Sequence, residues 1–154
     1  MTTPWDPVRA AEIIESLKGL DGACLPILRA IQAEFGSVSE AAVPMVADAL
    51  NLSRAEVHGL VTFYHDLRPN PAGRTVVKLC RAEACQAMGG DRLADTAKRR
   101  LGIDWHGTTA DGRVTLEPVF CLGLCATAPV ALVGERVVGR LDDIKLGNLL
   151  DAAP

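Results

Sequence analysis

Residues 79–90 read "LCRAEACQAMGG", and residues 120–133 read "FCLGLCATAPVALV". The first stretch separates Cys80 from Cys85 by four residues, and the second separates Cys121 from Cys125 by three. Each follows an apolar, β-branched run, "TVVKL" in one case and "RVTLEPVF" in the other. Such runs predict strands, here Thr75–Leu79 and Arg113–Phe120, so each cysteine pair begins where a strand ends. The carboxyl ends of strands are where open α/β sheets place their sites.

Working outward, Arg92–Leu101 has helical periodicity, and Val130–Val133 and Arg136–Val138 flank Gly134-Glu135, a two-residue hairpin turn. Asp142–Leu150 is a last helix. The order β-α-β-β-β-α predicts a small α/β sandwich with a mixed sheet. Upstream, "RPNPAG" at residues 68–73 is a Pro/Gly linker that cannot continue a helix. Before it the pattern is helical. Asp6 and Pro7 form an N-cap and first-turn pair, and Ala10, Ile13, Ile14 and Leu17 recur at helical spacing up to Gly19. A second stripe runs Cys24, Ile27, Leu28, Ile31, Phe35 and stops at Gly36, with Pro26 in the first turn. Val43, Val46, Ala47 and Leu50 make a third. A capping box of Ser53 and Glu56 starts a fourth, whose buried face is Val57, Leu60, Val61 and Tyr64. Four amphipathic helices with short connections predict a small bundle. The fold class is therefore α+β, with a helical bundle over residues 1–70 and an α/β domain over residues 71–154.

A chain of 154 residues buries a core without covalent staples, and 49% hydrophobic with 23% charged residues excludes disorder. The beginning, "MTTPWDPVRAAEIIESLKG", has no basic start ahead of an apolar core, and no apolar run is long enough to span a bilayer. A cytoplasmic location is expected. Under reducing conditions, and with an odd count of five cysteines, a disulfide framework is disfavoured relative to metal or redox chemistry. The net charge of −3 disfavours nucleic acid or an anionic membrane as main partner. Residues 1–68 carry −4 of it. Lys98-Arg99-Arg100 is read as a solvated helix C-terminus opposing the helix dipole.

Zinc is usually held by C-x2-C knuckles, and neither pair has that spacing. A thioredoxin-type dithiol also needs C-x-x-C. A catalytic cysteine with a histidine base leaves two pairs unexplained. A [2Fe–2S] cluster takes two cysteines per iron, and loops of three and four residues suit its larger size. Spacing favours the cluster and leaves zinc open. Gly89, Gly90 and Gly123 permit close backbone approach, and Arg81 beside Cys80 is expected to favour the reduced, more negative state. Cys24, on the apolar stripe of the second helix, reads as a small buried hydrophobe. His58 and His65 are placed on the polar face of the fourth helix and His106 in the loop "DWHGTT", all three solvated or capping. Pro129 after Ala128 is a candidate cis turn beside the site, with trans the base expectation.

The whole arrangement, C-x4-C, thirty-five residues, then C-x3-C, resembles the thioredoxin-like [2Fe–2S] ferredoxin family, which includes the 24 kDa subunit of complex I and small subunits of NAD-dependent formate dehydrogenases and NAD-reducing hydrogenases. The resemblance extends over the helical bundle and "LNLSRAEVHGLVTFYHDLR". It implies a thioredoxin-like second domain and one [2Fe–2S] cluster on Cys80, Cys85, Cys121 and Cys125. "CRAEACQ" and "TADGRVTLEPVFCLG" look most like the gamma subunit of the cytoplasmic, molybdenum-containing, NAD-dependent formate dehydrogenase. That resemblance implies an electron-transfer subunit with no catalytic residue of its own. Its partners would be a beta-type subunit carrying FMN, the NAD site and further clusters, and an alpha-type subunit with the molybdenum cofactor. The helical bundle, with Phe63 at the edge of its fourth helix, would then dock the partner. Complex I and hydrogenase assemblies are the nearest alternatives. "VADALNLSRAEVHGLVTF" also has the outline of a helix-turn-helix, so a cluster-bearing regulator is an alternative from another class, although its second helix offers phosphate only one arginine. A zinc-stabilised interaction module is the third.

Overall fold

Asp6 starts the first helix as its sequence predicts. In the structure, a computed structural model that describes residues 3–153, the Asp6 carboxylate accepts from the Val8 N–H at 2.9 Å, and α1 runs Pro7–Leu17. Met1, Thr2 and Pro154, the outer limits of the two expected domains, lie outside the described residues. The chain divides into two compact units, Met1–Pro71 and Ala72–Pro154.

The first unit holds α1, α2 (Cys24–Phe35), α3 (Ala42–Leu50) and α4 (Arg54–Phe63). Helix α2 ends on Gly36 in the left-handed region, which lets its N–H reach back to the Gln32 carbonyl at 2.7 Å. Helix α4 begins with the complete capping box, the Glu56 N–H donating to Ser53 Oγ and the Ser53 N–H donating to Glu56 Oε2 at 2.8 Å. Such a cap is worth roughly 1 kcal/mol. Ile27, Leu28, Ile31, Val46 and Val57 are fully buried, at roughly 2 kcal/mol each, so packing outweighs capping in holding the bundle. Trp5 adds to it against Phe35, ring centroids 4.9 Å apart. The segment after α4 is tied to α2 by Gln32, whose amide donates to the Asp66 carbonyl and accepts from the Arg68 N–H.

The fourth helix is shorter than its periodicity predicts. It stops at Phe63, and Tyr64 is extended at φ −87°, ψ 102°, with its ring exposed and edge-on to Phe63. Of the expected face only Val57 is buried, with Leu60 and Val61 half-buried. His65 lies in the following turn, so His58 and His65 do not share a helix face. The polar tail "YHD" ahead of Leu67 gives the helix no apolar residue to bury for another turn.

The second unit contains β1 (Thr75–Cys80), α5 (Glu83–Ala87), α6 (Gly90–Leu101), β2 (Val114–Val119), β3 (Ala131–Val133), β4 (Arg136–Val138) and α7 (Asp143–Asp151). The sheet order is β2-β1-β3-β4. Strands β1 and β2 are parallel, as the crossover through α5 and α6 requires, and the other pairs are antiparallel. This is the mixed sheet expected of a thioredoxin-like α/β unit. Val77 and Leu79 of β1 and Val114 and Leu116 of β2 pack with Leu93, Ala94 and Ala97 of α6 and Leu146 and Leu150 of α7. Alternation along β1 puts Lys78 and Cys80 on the other side, and Lys78 pairs there with the buried Glu117 carboxylate at 3.5 Å. The basic run closes α6, Lys98 on Asp104 at 2.6 Å and Arg100 on Asp151 at 2.5 Å. Helix α5 has no counterpart in the expected elements, because five residues are too few for a period to register. No helix among the described residues is long and apolar enough to cross a membrane.

Candidate metal centre

The first thiol is placed by the sheet. The Cys80 N–H donates to the Val130 carbonyl at 3.0 Å and the Arg81 N–H to the Val119 carbonyl at 2.7 Å, so the end of β1 is tied on both sides. Cys85 follows on α5, and the Gln86 side-chain amide closes the intervening loop by donating to the Arg81 carbonyl at 2.7 Å. Gly90 lets the start of α6 lie against this turn, since a Cβ there would sit 2.6 Å from the Cys85 carbonyl oxygen. Both thiols are buried, at 5% and 2% exposure, in a small cluster with Val130 edged by Ala82, Val119, Leu122 and Ala128.

The second pair lies on the loop after β2. Cys121 is left-handed at φ 85° and Gly123 at φ 76°, a bend that brings the Gly123 N–H to Cys121 Sγ at 3.3 Å. Cys125 opens a short 3-10 turn, Cys125–Thr127, and the Ala128–Pro129 peptide that follows is cis. Cys121 and Cys125 are exposed.

The fold brings the two pairs together. Burial pushes the Cys80 thiol up, but the Ala82 N–H, the Cys85 thiol and the N–H groups of Cys121 and Leu122, all donating to its sulfur, bring it below the ordinary thiol value. Leu122 of the second loop packs against Cys80 and Cys85. Cys85 is pushed up, by burial first and then by donating to Cys80, with the Val130 N–H acting the other way and Cys80 and Cys125 adding negative charge nearby. Cys125 is raised chiefly by its hydrogen bond to Cys121, then by the charges of Cys121 and Cys80 and by burial. The sulfurs therefore come as two pairs. Among the described residues, no three His, Cys, Asp or Glu side chains gather as ligands of one ion would. Two soft thiolates per metal, with backbone N–H groups aimed at the sulfur, suit a two-iron cluster.

Three expectations need amendment. Close approach is realised at Gly90, toward Cys85, whereas Gly89 and Gly123 have open space about them. At Gly123 the residue type serves the left-handed backbone instead. Arg81 is not a free charge beside the site, because its guanidinium pairs with Asp91 at 2.7 Å and lies 5.6 Å from the Trp105 ring centroid. Lys98 Nζ lies 4.6 Å from the centroid of the same ring. Trp105 packs with the helix-side core, away from the Cys80 side of the strand. The carboxylate offsets Arg81 and reduces its expected pull on the site.

Cys24 lies in the first unit, buried on α2 beside a cleft of about 460 Å³ lined by Leu25, Leu50, Leu52 and Leu60, and burial raises its thiol. His58 is exposed on α4. His106 holds a left-handed turn and donates its N–H to the Leu116 carbonyl at 2.7 Å. Residues that sequence pattern does not single out are Ala82, Leu122 and Val130, which act through their N–H groups. Backbone donors carry no residue signature. Asp91, in the first turn of α6, has only its acidic first-turn position to mark it.

A family model described as thioredoxin-like [2Fe-2S] ferredoxin matches residues 10–154. The NADP-reducing hydrogenase subunit HndA of Solidesulfovibrio fructosivorans is 34% identical over 139 residues, 90% of this chain and 81% of that protein. The NADH-quinone oxidoreductase E subunit of Pseudomonas aeruginosa is 32% identical over 130 residues, 84% of this chain and 78% of that one. The corresponding E subunit of Mycobacterium bovis is 38% identical over 126 residues, which span 82% of this chain and half of that protein. Among solved structures, an NAD+-reducing [NiFe]-hydrogenase in the H2-reduced state superposes with TM-score 0.68 at 23% identity over 83% of this chain. The match spans 21% of that hydrogenase chain and establishes likeness of fold.

Proposed function

This chain belongs to the thioredoxin-like [2Fe–2S] ferredoxin family, and from that premise we propose that it is the electron-transfer subunit of a cytoplasmic, NAD-dependent formate dehydrogenase. Cys80, Cys85, Cys121 and Cys125 hold one [2Fe–2S] cluster in this reading, and no residue of the chain acts on formate or nicotinamide. The observation that carries it is the placement of the two thiol pairs at neighbouring strand ends: Cys80 is in register with Val119, two residues before Cys121, and Leu122 packs against Cys80 and Cys85. A cluster bound there supplies one-electron transfer, which lets hydride chemistry at a flavin couple to single-electron carriers. The chain's own part is electrostatic. The Ala82, Cys121 and Leu122 N–H groups stabilise negative charge on the Cys80 sulfur, and Leu122 and Val130 keep the buried pair dry.

The partners in this proposal are a beta-type subunit with FMN, NAD site and further clusters, and an alpha-type subunit with the molybdenum cofactor. The wording of "CRAEACQ" and "TADGRVTLEPVFCLG" supports the formate assembly. Similarity to HndA and to the NADH-quinone oxidoreductase E subunits favours a second reading, the equivalent component of a hydrogenase or of an NADH-quinone oxidoreductase. Affinity purification of the tagged chain from its own cells separates the two. Co-purification of a molybdenum-containing subunit with formate-dependent NAD+ reduction supports the first, and a hydrogen-dependent or quinone-dependent activity in its place overturns it. The ligand assignment is tested on the chain alone. Anaerobic protein should contain two irons and two labile sulfides per chain, and its low-temperature EPR signal after dithionite reduction should be lost in Cys80→Ser. A colourless protein with one zinc overturns the assignment.

A further inference from the structure

We propose that the four thiols are loaded in a fixed order. Cys121 and Cys125 take the [2Fe–2S] cluster first, from a carrier whose ligands are low-molecular-weight thiolates, and Cys80 and Cys85 complete the site afterwards. This rests on the ligand assignment above and concerns how the site is filled.

The two pairs differ in access and in rigidity. Cys80 and Cys85 are 5% and 2% exposed, and both belong to regular structure. Cys80 is bonded to Val130 at the end of a paired strand, and the Cys85 turn has Gly90 against its carbonyl. Neither can move outward without breaking the sheet or the α5–α6 junction. Cys121 and Cys125 are exposed, as are Phe120, Gly123, Leu124 and Ala126 around them. Leu122 is the exception in that loop. It is half-buried against Cys80, Cys85 and Val130. The loop is therefore a cover seated on the buried pair through Leu122.

Ligand exchange requires the incoming sulfur to come within bonding distance of iron while the outgoing one is still near. A carrier complex far larger than a water molecule reaches the exposed thiols and does not reach sulfurs lying under Leu122. At each exchange an iron–sulfur bond to a cysteine forms and one to a carrier thiolate breaks. The cysteine proton leaves with the departing thiol, and no electron changes hands. The covering loop then brings its cargo to Cys80 and Cys85, where two further exchanges of the same kind release the last carrier thiols.

The test uses the full-length chain, reduced and free of iron, mixed in a stopped-flow instrument with a [2Fe–2S] complex of glutathione and followed by visible absorbance. Wild type should show a phase whose rate rises with carrier concentration, then a concentration-independent phase. Cys121→Ser/Cys125→Ser should slow the first phase by about tenfold or more, in line with thiol access setting the rate. Cys80→Ser/Cys85→Ser should keep it within about threefold and lose the second. Because serine at buried positions risks misfolding, wild type is also quenched at intervals with a small thiol-alkylating reagent and mapped by mass spectrometry, protection at each cysteine being scored against the iron-free chain exposed long enough to label the buried pair as well. Protection of Cys121 and Cys125 should precede that of Cys80 and Cys85. Simultaneous protection of all four, or protection beginning at the buried pair, overturns the order while leaving the ligand assignment intact. If wild type takes up no cluster from this carrier or from iron and sulfide, the ligand assignment itself fails.

Discussion

Glycines at the centre are required for two different reasons, and substitution distinguishes them. At Gly90 an added Cβ would meet the Cys85 carbonyl oxygen at 2.6 Å, backbone against backbone, with no flexible side chain to yield. Gly90→Ala should cost about 2 kcal/mol in chemical denaturation and shift the Cys85 turn enough to loosen the cluster. At Gly123 the space is open and only the left-handed φ of 76° is at stake, so Gly123→Ala should cost about 1 kcal/mol and leave iron content near wild type. Equal losses at both sites would contradict this distinction. Cys24 gives the complementary case. It is a thiol among leucines, so Cys24→Ser should destabilise the first unit by about 1 to 2 kcal/mol through the buried hydroxyl while iron and sulfide per chain stay unchanged. Loss of cluster in that variant would mean that Cys24 has a role its position on α2 does not suggest.

At the scale of elements, α4 depends on its capping box. Backbone and side-chain hydrogen bonds from Ser53 lower the Glu56 carboxyl below its ordinary value of 4.5. A group lowered by folding stabilises above the unfolded value and loses that contribution as pH falls through the folded one. The melting temperature of wild type should therefore fall more steeply below pH 4.5 than that of Glu56→Gln, which keeps the cap geometry and loses the charge. Asp104, lowered by Lys98, and Asp111, lowered first by Thr109, add acid sensitivity of the same sign in both proteins. Helices α6 and α7 are joined by Arg92–Asp143 and Arg100–Asp151, partners ascending together on both helices, so they run in the same direction. These pairs are largely exposed. A double-mutant cycle on Arg92 and Asp143 should give less than about 1 kcal/mol of coupling, decreasing with salt, because Leu93, Ala97, Leu146 and Leu150 already hold the two helices. A larger coupling would assign the packing of α7 to charge.

At the scale of the molecule, the helical unit is proposed to dock the flavin-bearing partner through the end of α4. Phe63 is 73% exposed with Tyr64 edge-on to it at 5.2 Å, an aromatic pair that the bundle core does not use. Phe63→Ala should reduce co-purification of the partner several-fold while leaving the EPR spectrum unchanged, and undiminished assembly would move the interface elsewhere. The features legible in the chain are those that act through local pattern. Helical stripes ending at Gly36, the capping box at Ser53, β-branched runs and the spacing of Cys80, Cys85, Cys121 and Cys125 identify two units, a mixed sheet and a thiol-rich centre, because periodicity and turn chemistry operate within a few residues. The end of α4 at Phe63, the five-residue α5 and the pairing of Arg81 with Asp91 were decided by tertiary structure. Each depends on what a residue meets from elsewhere in the chain. The sharpest case is the Cys80 thiol, held below its ordinary value with the help of N–H groups of Cys121 and Leu122 from a distant loop. Every residue but proline carries that donor, so only the parallel pairing of β1 with β2, which sets both strand ends side by side, selects which ones reach the thiol.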